Sequence, residues 1–206
     1  MKKIIVLFIL IPFLGFSQIT DKLDYISPYN KGLSAIKKEN QWAFINLQGN
    51  IVIAFRNDLV LTEIDNKKYP IFINERCLIS EKKEGISYFG YIDTSGKTVI
   101  EPQFLNATNF DKEFAIVIEL YKEILGKNNI LNKQTVRYES TEVLINKSGV
   151  IKYNLTEPKG LPLSRNFISK PPKIFSKIIA KNLFSTSGKD NKIIIKKITE
   201  QKEESN

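Results

Sequence analysis

The segment Phe89-Gly90-Tyr91-Ile92-Asp93-Thr94-Ser95-Gly96-Lys97-Thr98-Val99-Ile100 aligns without gaps to Trp42-Ala43-Phe44-Ile45-Asn46-Leu47-Gln48-Gly49-Asn50-Ile51-Val52-Ile53. A more divergent third copy runs Val143-Leu144-Ile145-Asn146-Lys147-Ser148-Gly149-Val150-Ile151-Lys152. Each copy reads as a β-hairpin. An aromatic and β-branched strand ends at Asn46, Asp93 or Asn146, whose side chain can accept hydrogen bonds from the turn backbone. Three residues later Gly49, Gly96 or Gly149 supplies the left-handed position, and a second β-branched strand returns.

A second echo lies upstream of each hairpin. Tyr29-Asn30-Lys31-Gly32-Leu33 resembles Ile73-Asn74-Glu75-Arg76-Cys77, and both resemble Phe110-Asp111-Lys112-Glu113-Phe114. Each unit is therefore expected to be a turn followed by three strands, a β-meander. Such a sheet cannot bury its apolar face alone, so neighbouring units must stack or join edges.

These residues resemble the WG-repeat family. Phe89-Gly90-Tyr91-Ile92-Asp93 stands for the naming segment with Phe in place of Trp, followed in order by Gly96-Lys97, Val99-Ile100, Pro102 and Phe104. The first copy keeps Trp42 but has Ala43 for Gly, and the third lacks the aromatic-Gly pair. The resemblance covers Tyr25 to Tyr153. It implies a β-repeat scaffold, often exported, without fixed catalytic residues. The recurring positions are then structural: Asn46, Gly49, Asp93, Gly96, Asn146 and Gly149 in turns, and Trp42, Phe89, Gly90 and Tyr91 in packing.

Composition narrows the chemistry. The chain has no histidine and one cysteine, Cys77. A Ser-His-Asp triad, an imidazole base and a His-ligated zinc are excluded, as is an internal disulfide. Gly85 and Gly90 fit no phosphate-binding spacing. No cofactor or metal site is expected. The remaining acid-base option is a carboxylate pair, with Glu101 and Glu119 the candidates for a glycan hydrolase. Cys77, in the run Cys77-Leu78-Ile79, reads as a buried thiol.

The ends differ from the middle. Lys2 and Lys3 precede the apolar run Ile4–Leu14, too short to span a bilayer, so residues 1–17 read as a secretory signal peptide. A periplasmic or extracellular protein follows. Residues 18–157 form the β-repeat domain, interrupted between Tyr121 and Ser140 by a segment that reads as a long hairpin or loop. Residues 158–206 form a basic C-terminal segment: residues 159–206 carry a net charge of +7, while residues 18–158 are neutral. The stretch Lys173–Phe184 has helical spacing, with Lys173, Lys177 and Lys181 four residues apart, and predicts a short amphipathic helix. Ser185 to Asn191 reads as a turn, Ile193-Ile194-Ile195 as a short strand, and the charged end as disordered.

The fold expected is thus mainly β, with tandem meander repeats and a short C-terminal helix. The function expected is a non-catalytic binding or scaffold module of the cell envelope, recognising a protein or glycan surface. The alternative is attachment to an anionic membrane or polymer through the basic helix. No nucleic-acid partner is expected.

Overall fold

The protein is described by a computed structural model covering residues 22–128, 133–161, 170–180, 182–187 and 192–198. The signal peptide assigned to residues 1–17 and the charged end beyond Ile198 lie outside these residues, as does Lys181. Three antiparallel meanders follow one another along the chain. The first runs β1 (Tyr25–Ile26), β2 (Ser34–Lys38), β3 (Gln41–Ile45) and β4 (Ile51–Arg56), in that spatial order. A small hairpin, β5 (Thr62–Ile64) and β6 (Lys67–Tyr69), leads to the second meander: β7 (Cys77–Lys83), β8 (Ile86–Ile92) and β9 (Thr98–Phe104). Residues 58–60 lie along β7 as β1 lies along β2, through Val60 N–H to Leu78 O and Ser80 N–H to Asp58 O. The third meander runs β10 (Asn106–Ala107), β11 (Phe114–Asn128), β12 (Lys133–Asn146) and β13 (Ile151–Asn154), with β14 (Lys159–Gly160) paired to β12 farther out.

Strand alternation gives each meander two apolar faces, and the units stack face to face. Ala35, Trp42, Phe44 and Ile53 of the first unit share a core with Cys77, Ile79 and Ile92 of the second. The opposite face of the second unit, Leu78, Phe89, Tyr91 and Ile100, packs on Ala115, Val117, Val143 and Ile145 of the third. Leu23 and Phe55 cover Ile36, Ala43 and Ile45 at the other face of the first unit. Stacking satisfies the burial that no isolated meander achieves.

The C-terminal segment departs from expectation. The described residues are 63% strand with no helix, so the amphipathic helix over Lys173–Phe184 is not formed. A fourth antiparallel sheet stands there: β15 (Lys177–Ala180), β16 (Leu183–Ser187) and β17 (Ile193–Lys197). The turn expected over Ser185 to Asn191 is not formed at Ser185–Ser187, which belong to β16, and its remainder lies outside the described residues. Four-residue spacing satisfies a period of two as well as one of 3.6, so the lysines did not discriminate. Ile174, Ser176 and Ile178 alternate with Lys173, Phe175, Lys177 and Ile179. Ile174, Ile178, Phe184 and Ile198 pack on Ile116, Leu144 and Leu155 of the third unit. A ready apolar sheet face decides between the two periods.

The upstream turns also shift by one position. The bridges Asn30↔Leu33, Ile73↔Arg76 and Asp111↔Phe114 put Ile73, not Asn74, at the turn position that Asn30 and Asp111 hold in theirs. Asn74 instead takes φ +50°, a left-handed conformation that Asn tolerates.

Gly90 has a specific steric role. Phe89 pairs with Phe104 and Tyr91 with Ile100, so three residues of β9, Glu101 to Gln103, arch opposite one glycine. A Cβ on Gly90 would lie 2.3 Å from the Ile100 carbonyl oxygen. In the first unit two residues of β4 stand opposite Ala43, and in the third Val143 pairs directly with Asn154. The bulge shrinks as the side chain grows. Gly90→Ala is expected to cost roughly 3 kcal/mol in chemical denaturation, because the obstructing atoms are backbone.

Candidate interaction site

The turn residues make one construction three times. Asn46 Oδ1 accepts the Gln48 and Asn50 amides at 3.1 and 2.9 Å, Asp93 Oδ1 those of Ser95 and Lys97 at 2.9 and 3.1 Å, and Asn146 Oδ1 those of Ser148 and Val150 at 3.1 and 2.9 Å. The Ser95 hydroxyl adds a bond that, with these amides, holds the Asp93 carboxyl below its ordinary value. An amide serves as well as a carboxylate here, which marks the position as architectural.

Gly49, Gly96 and Gly149 have φ of +78°, +86° and +81°. Gly96 sits on Ile53 of the preceding unit and Gly149 on Ile100, with an added Cβ only 3.2 and 3.3 Å from those side chains. Arg56 donates to the Gly96 carbonyl at 3.1 Å, and Arg76 to the Lys147 carbonyl at 3.2 and 3.0 Å. Asn30 Nδ2 reaches the Phe72 carbonyl and Asn74 Nδ2 the Phe110 carbonyl, while Phe44 meets Phe72 and Tyr91 meets Phe110 edge to face at 4.8 and 4.9 Å. The recurring residues therefore join one unit to the next.

The aromatic position continues this logic to a substitution that the sequence pattern did not single out. Trp42 and Phe89 are buried four residues before their turn residues, and Glu142 occupies the same place before Asn146. Its side chain is buried, and its two oxygens accept the Phe175 and Ser176 amides at 2.9 and 2.8 Å. Asn106 Nδ2 to Pro172 O at 2.8 Å and Lys196 Nζ to Leu155 O at 2.7 Å complete the attachment of the C-terminal sheet. The third copy lost its aromatic where the next unit presents backbone donors.

The candidate catalytic groups stand on different strands. Glu101 is exposed on the β9 arch, and Glu119 on β11 accepts the Tyr121 hydroxyl. Partial burial and that carboxylate push the Tyr121 phenol up to about 12. Burial pushes the Cys77 thiol likewise up to about 12, so it stays protonated and unreactive at neutral pH. Lys173 and Lys177 are exposed on the C-terminal sheet.

The outer part of β11 and β12 is not consumed by stacking. Their pairing runs from Phe114↔Asn146 to Asn128↔Lys133, but β10 flanks only Val117 and Ile118, and β13 and β14 reach no farther along β12 than Glu139. Leu161 N–H still reaches the Tyr138 carbonyl at 2.8 Å, and beyond Lys122 and Tyr138 no strand among the described residues flanks the pair. Register puts Leu120, Ile124, Val136 and Tyr138 on one face with Lys122. The other carries Glu119, Tyr121, Glu123, Arg137 and Glu139, with Arg137 3.7 and 3.5 Å from Glu123 and Glu139. Ile124 and Leu125 are 59% and 49% exposed. The long hairpin expected between Tyr121 and Ser140 is thus present and amphipathic.

Residues 22–42 and 89–122 match the family model described as WG containing repeat. The chain carries WG repeats at these two stretches. No curated protein and no solved structure matches it. The matched segments include β1 and β2 of one WG unit and β8 and β9 of the next, joined through β10 to the base of the long hairpin.

Two outcomes test the WG architecture. Gly96→Val should lower stability by roughly 2–5 kcal/mol, from the left-handed φ together with overpacking on Ile53, whereas exposed Ser95→Val stays within about 1 kcal/mol. Glu142→Phe, although it restores an aromatic at the repeat position, orphans two buried amides. It should cost roughly 2–4 kcal/mol and make residues 170–198 the first segment cut in limited proteolysis.

Proposed function

We propose that this WG-repeat protein is a non-catalytic scaffold of the cell envelope that binds a protein partner along the β11–β12 ribbon. The carrying observation is an amphipathic two-stranded ribbon that leaves the support of flanking strands with Ile124 and Leu125 in solvent. An isolated two-stranded ribbon is marginal in water, and a third strand or an apolar surface laid against it relieves both deficits. Ribbon edges along which the described residues place no further strand favour an extended polypeptide, which can add one, over a glycan, which cannot.

Two sequence features support the cellular setting and the absence of catalysis. The Lys2-Lys3 start and the Ile4–Leu14 run support export, with cleavage near Ser17 and residence in the periplasm or outside the cell. The residues that define the repeat are engaged in turns and junctions, which supports a scaffold without a cofactor.

Ile124→Asp tests the reading. The variant should retain the wild-type melting temperature and lose at least about tenfold in affinity for the partner recovered from envelope extract. Amide exchange in the wild-type complex should slow along residues 121–128 and 133–139. Unchanged affinity, or protection confined to another part of the chain, sinks the proposal.

A further inference from the structure

The last sheet of the stack has an outer face that is both apolar and cationic. Register places Lys177, Ser185 and Ile195 side by side, with Ser187 opposite Ile193 and Leu183 opposite Lys197. Alternation adds Phe175 and Ile179 to the same side. Phe175, Ile179, Ile193 and Ile195 are 57%, 51%, 79% and 66% exposed. The described residues from 170 to 198 include six lysines and no carboxylate. Lys173 lies over the Phe175 ring at 5.5 Å, and a depression of about 330 Å³ opens between Lys173, Phe175, Lys177 and Ile193.

A terminal unit that merely closes a repeat stack presents a polar outer face. This one presents four large apolar side chains ringed by ammonium groups. We propose that the outer face of the β15–β17 sheet seats on an anionic lipid bilayer, with Phe175, Ile179, Ile193 and Ile195 entering the headgroup region and Lys173, Lys177 and Lys197 meeting lipid phosphates. Charge complementarity selects this occupant. A symmetric second copy would set lysines against lysines. The chain's own residues 199–206, Thr-Glu-Gln-Lys-Glu-Glu-Ser-Asn, bring carboxylates but no apolar side chain to cover the isoleucines. An anionic bilayer offers both an apolar interior and negative headgroups. The surface is a flat sheet face rather than a helix, and it is separate from the ribbon of the third unit.

Vesicle flotation with residues 18–206, which include every residue described above, tests the proposal. The protein should float with mixed phosphatidylglycerol–phosphatidylcholine vesicles and not with pure phosphatidylcholine. The combined variant Lys173→Gln, Lys177→Gln, Lys197→Gln should bind roughly a hundredfold more weakly, and Lys177→Gln alone about fivefold. Ile193→Ser with Ile195→Ser should lose at least about tenfold. The single Lys177→Gln variant decides the matter if the combined one melts below the wild type. Equal flotation with both vesicle types, or wild-type binding by the lysine variants, overturns the proposal. Inorganic polyphosphate binding as tightly as vesicles and indifferent to the isoleucine change would make the face a polyanion site. Much tighter vesicle binding after truncation at Ile198 would make the chain's own end its occupant. Dimers dissolved by the isoleucine change would make it a second copy.

Discussion

A three-stranded meander with apolar side chains on both faces has to be covered twice, and everything regular in this chain follows from that requirement. Covering is done by the neighbouring unit, so the contact that matters most is the junction: a turn glycine of one unit resting on an isoleucine of the unit before it. Gly96 rests on Ile53 and Gly149 on Ile100. Glycine takes the left-handed φ without strain, and its missing Cβ also lets the turn approach the neighbouring sheet. Both properties are needed at once, which explains why glycine recurs there although Asn is tolerated at left-handed positions elsewhere, as at Asn66, Asn74 and Asn182. An arginine then fixes the turn carbonyl at each of these two junctions, although Arg56 and Arg76 come from different parts of their units. Geometry recurs where sequence does not.

The hairpins were legible because their constraint is local. Asn46, Asp93 and Asn146 bond amides two and four residues away, and the glycine lies three residues on, so the full requirement fits in a short window of sequence. The upstream turn was legible only approximately, since Asn30 and Asn74 look equivalent in sequence but sit at adjacent positions of the turn. Their side chains nevertheless end on corresponding carbonyls of the next unit, Phe72 and Phe110. Such a long-range bond leaves no spacing to read. The C-terminal sheet was misread for a related reason. Residues 173–180 carry both periods, and the choice was made by Ile116, Leu144 and Leu155, which lie up to some sixty residues earlier in sequence.

The third unit illustrates how a repeat can drift without losing its partner. Where Trp42 and Phe89 fill space, Glu142 binds two backbone amides, and where Cys77 pairs with Ile92 across its hairpin, the buried hydroxyls of Ser176 and Thr186 face each other at 3.0 Å. The carboxylate and the hydroxyls lie on facing sides of one junction. Without the carboxylate the Ser176 amide would be an unsatisfied donor in the interior. The loss of the aromatic-Gly pair is therefore coupled to the C-terminal sheet, and it was invisible as long as that segment was read as a helix.

This coupling constrains where function can reside. Directions along the stack are occupied by junction residues, and a change at Asn30, Arg56, Gly96 or Glu142 alters the seating of a neighbour before it alters any surface. Two places escape that constraint. One is the outer length of β11 and β12, which lies past the last flanking strand among the described residues. The other is the far face of the β15–β17 sheet, on which no further sheet stands among the described residues. Both carry exposed isoleucines that contribute nothing to stacking. Ionic content separates them. The ribbon's polar face mixes Glu119, Glu123 and Glu139 with Arg137, as suits a polypeptide partner of either sign, whereas the terminal face carries lysines without a carboxylate among its described residues. Two surfaces so different in charge pattern are suited to different partners, and a scaffold whose middle is given over to stacking can hold one at its side while its end is held by the other.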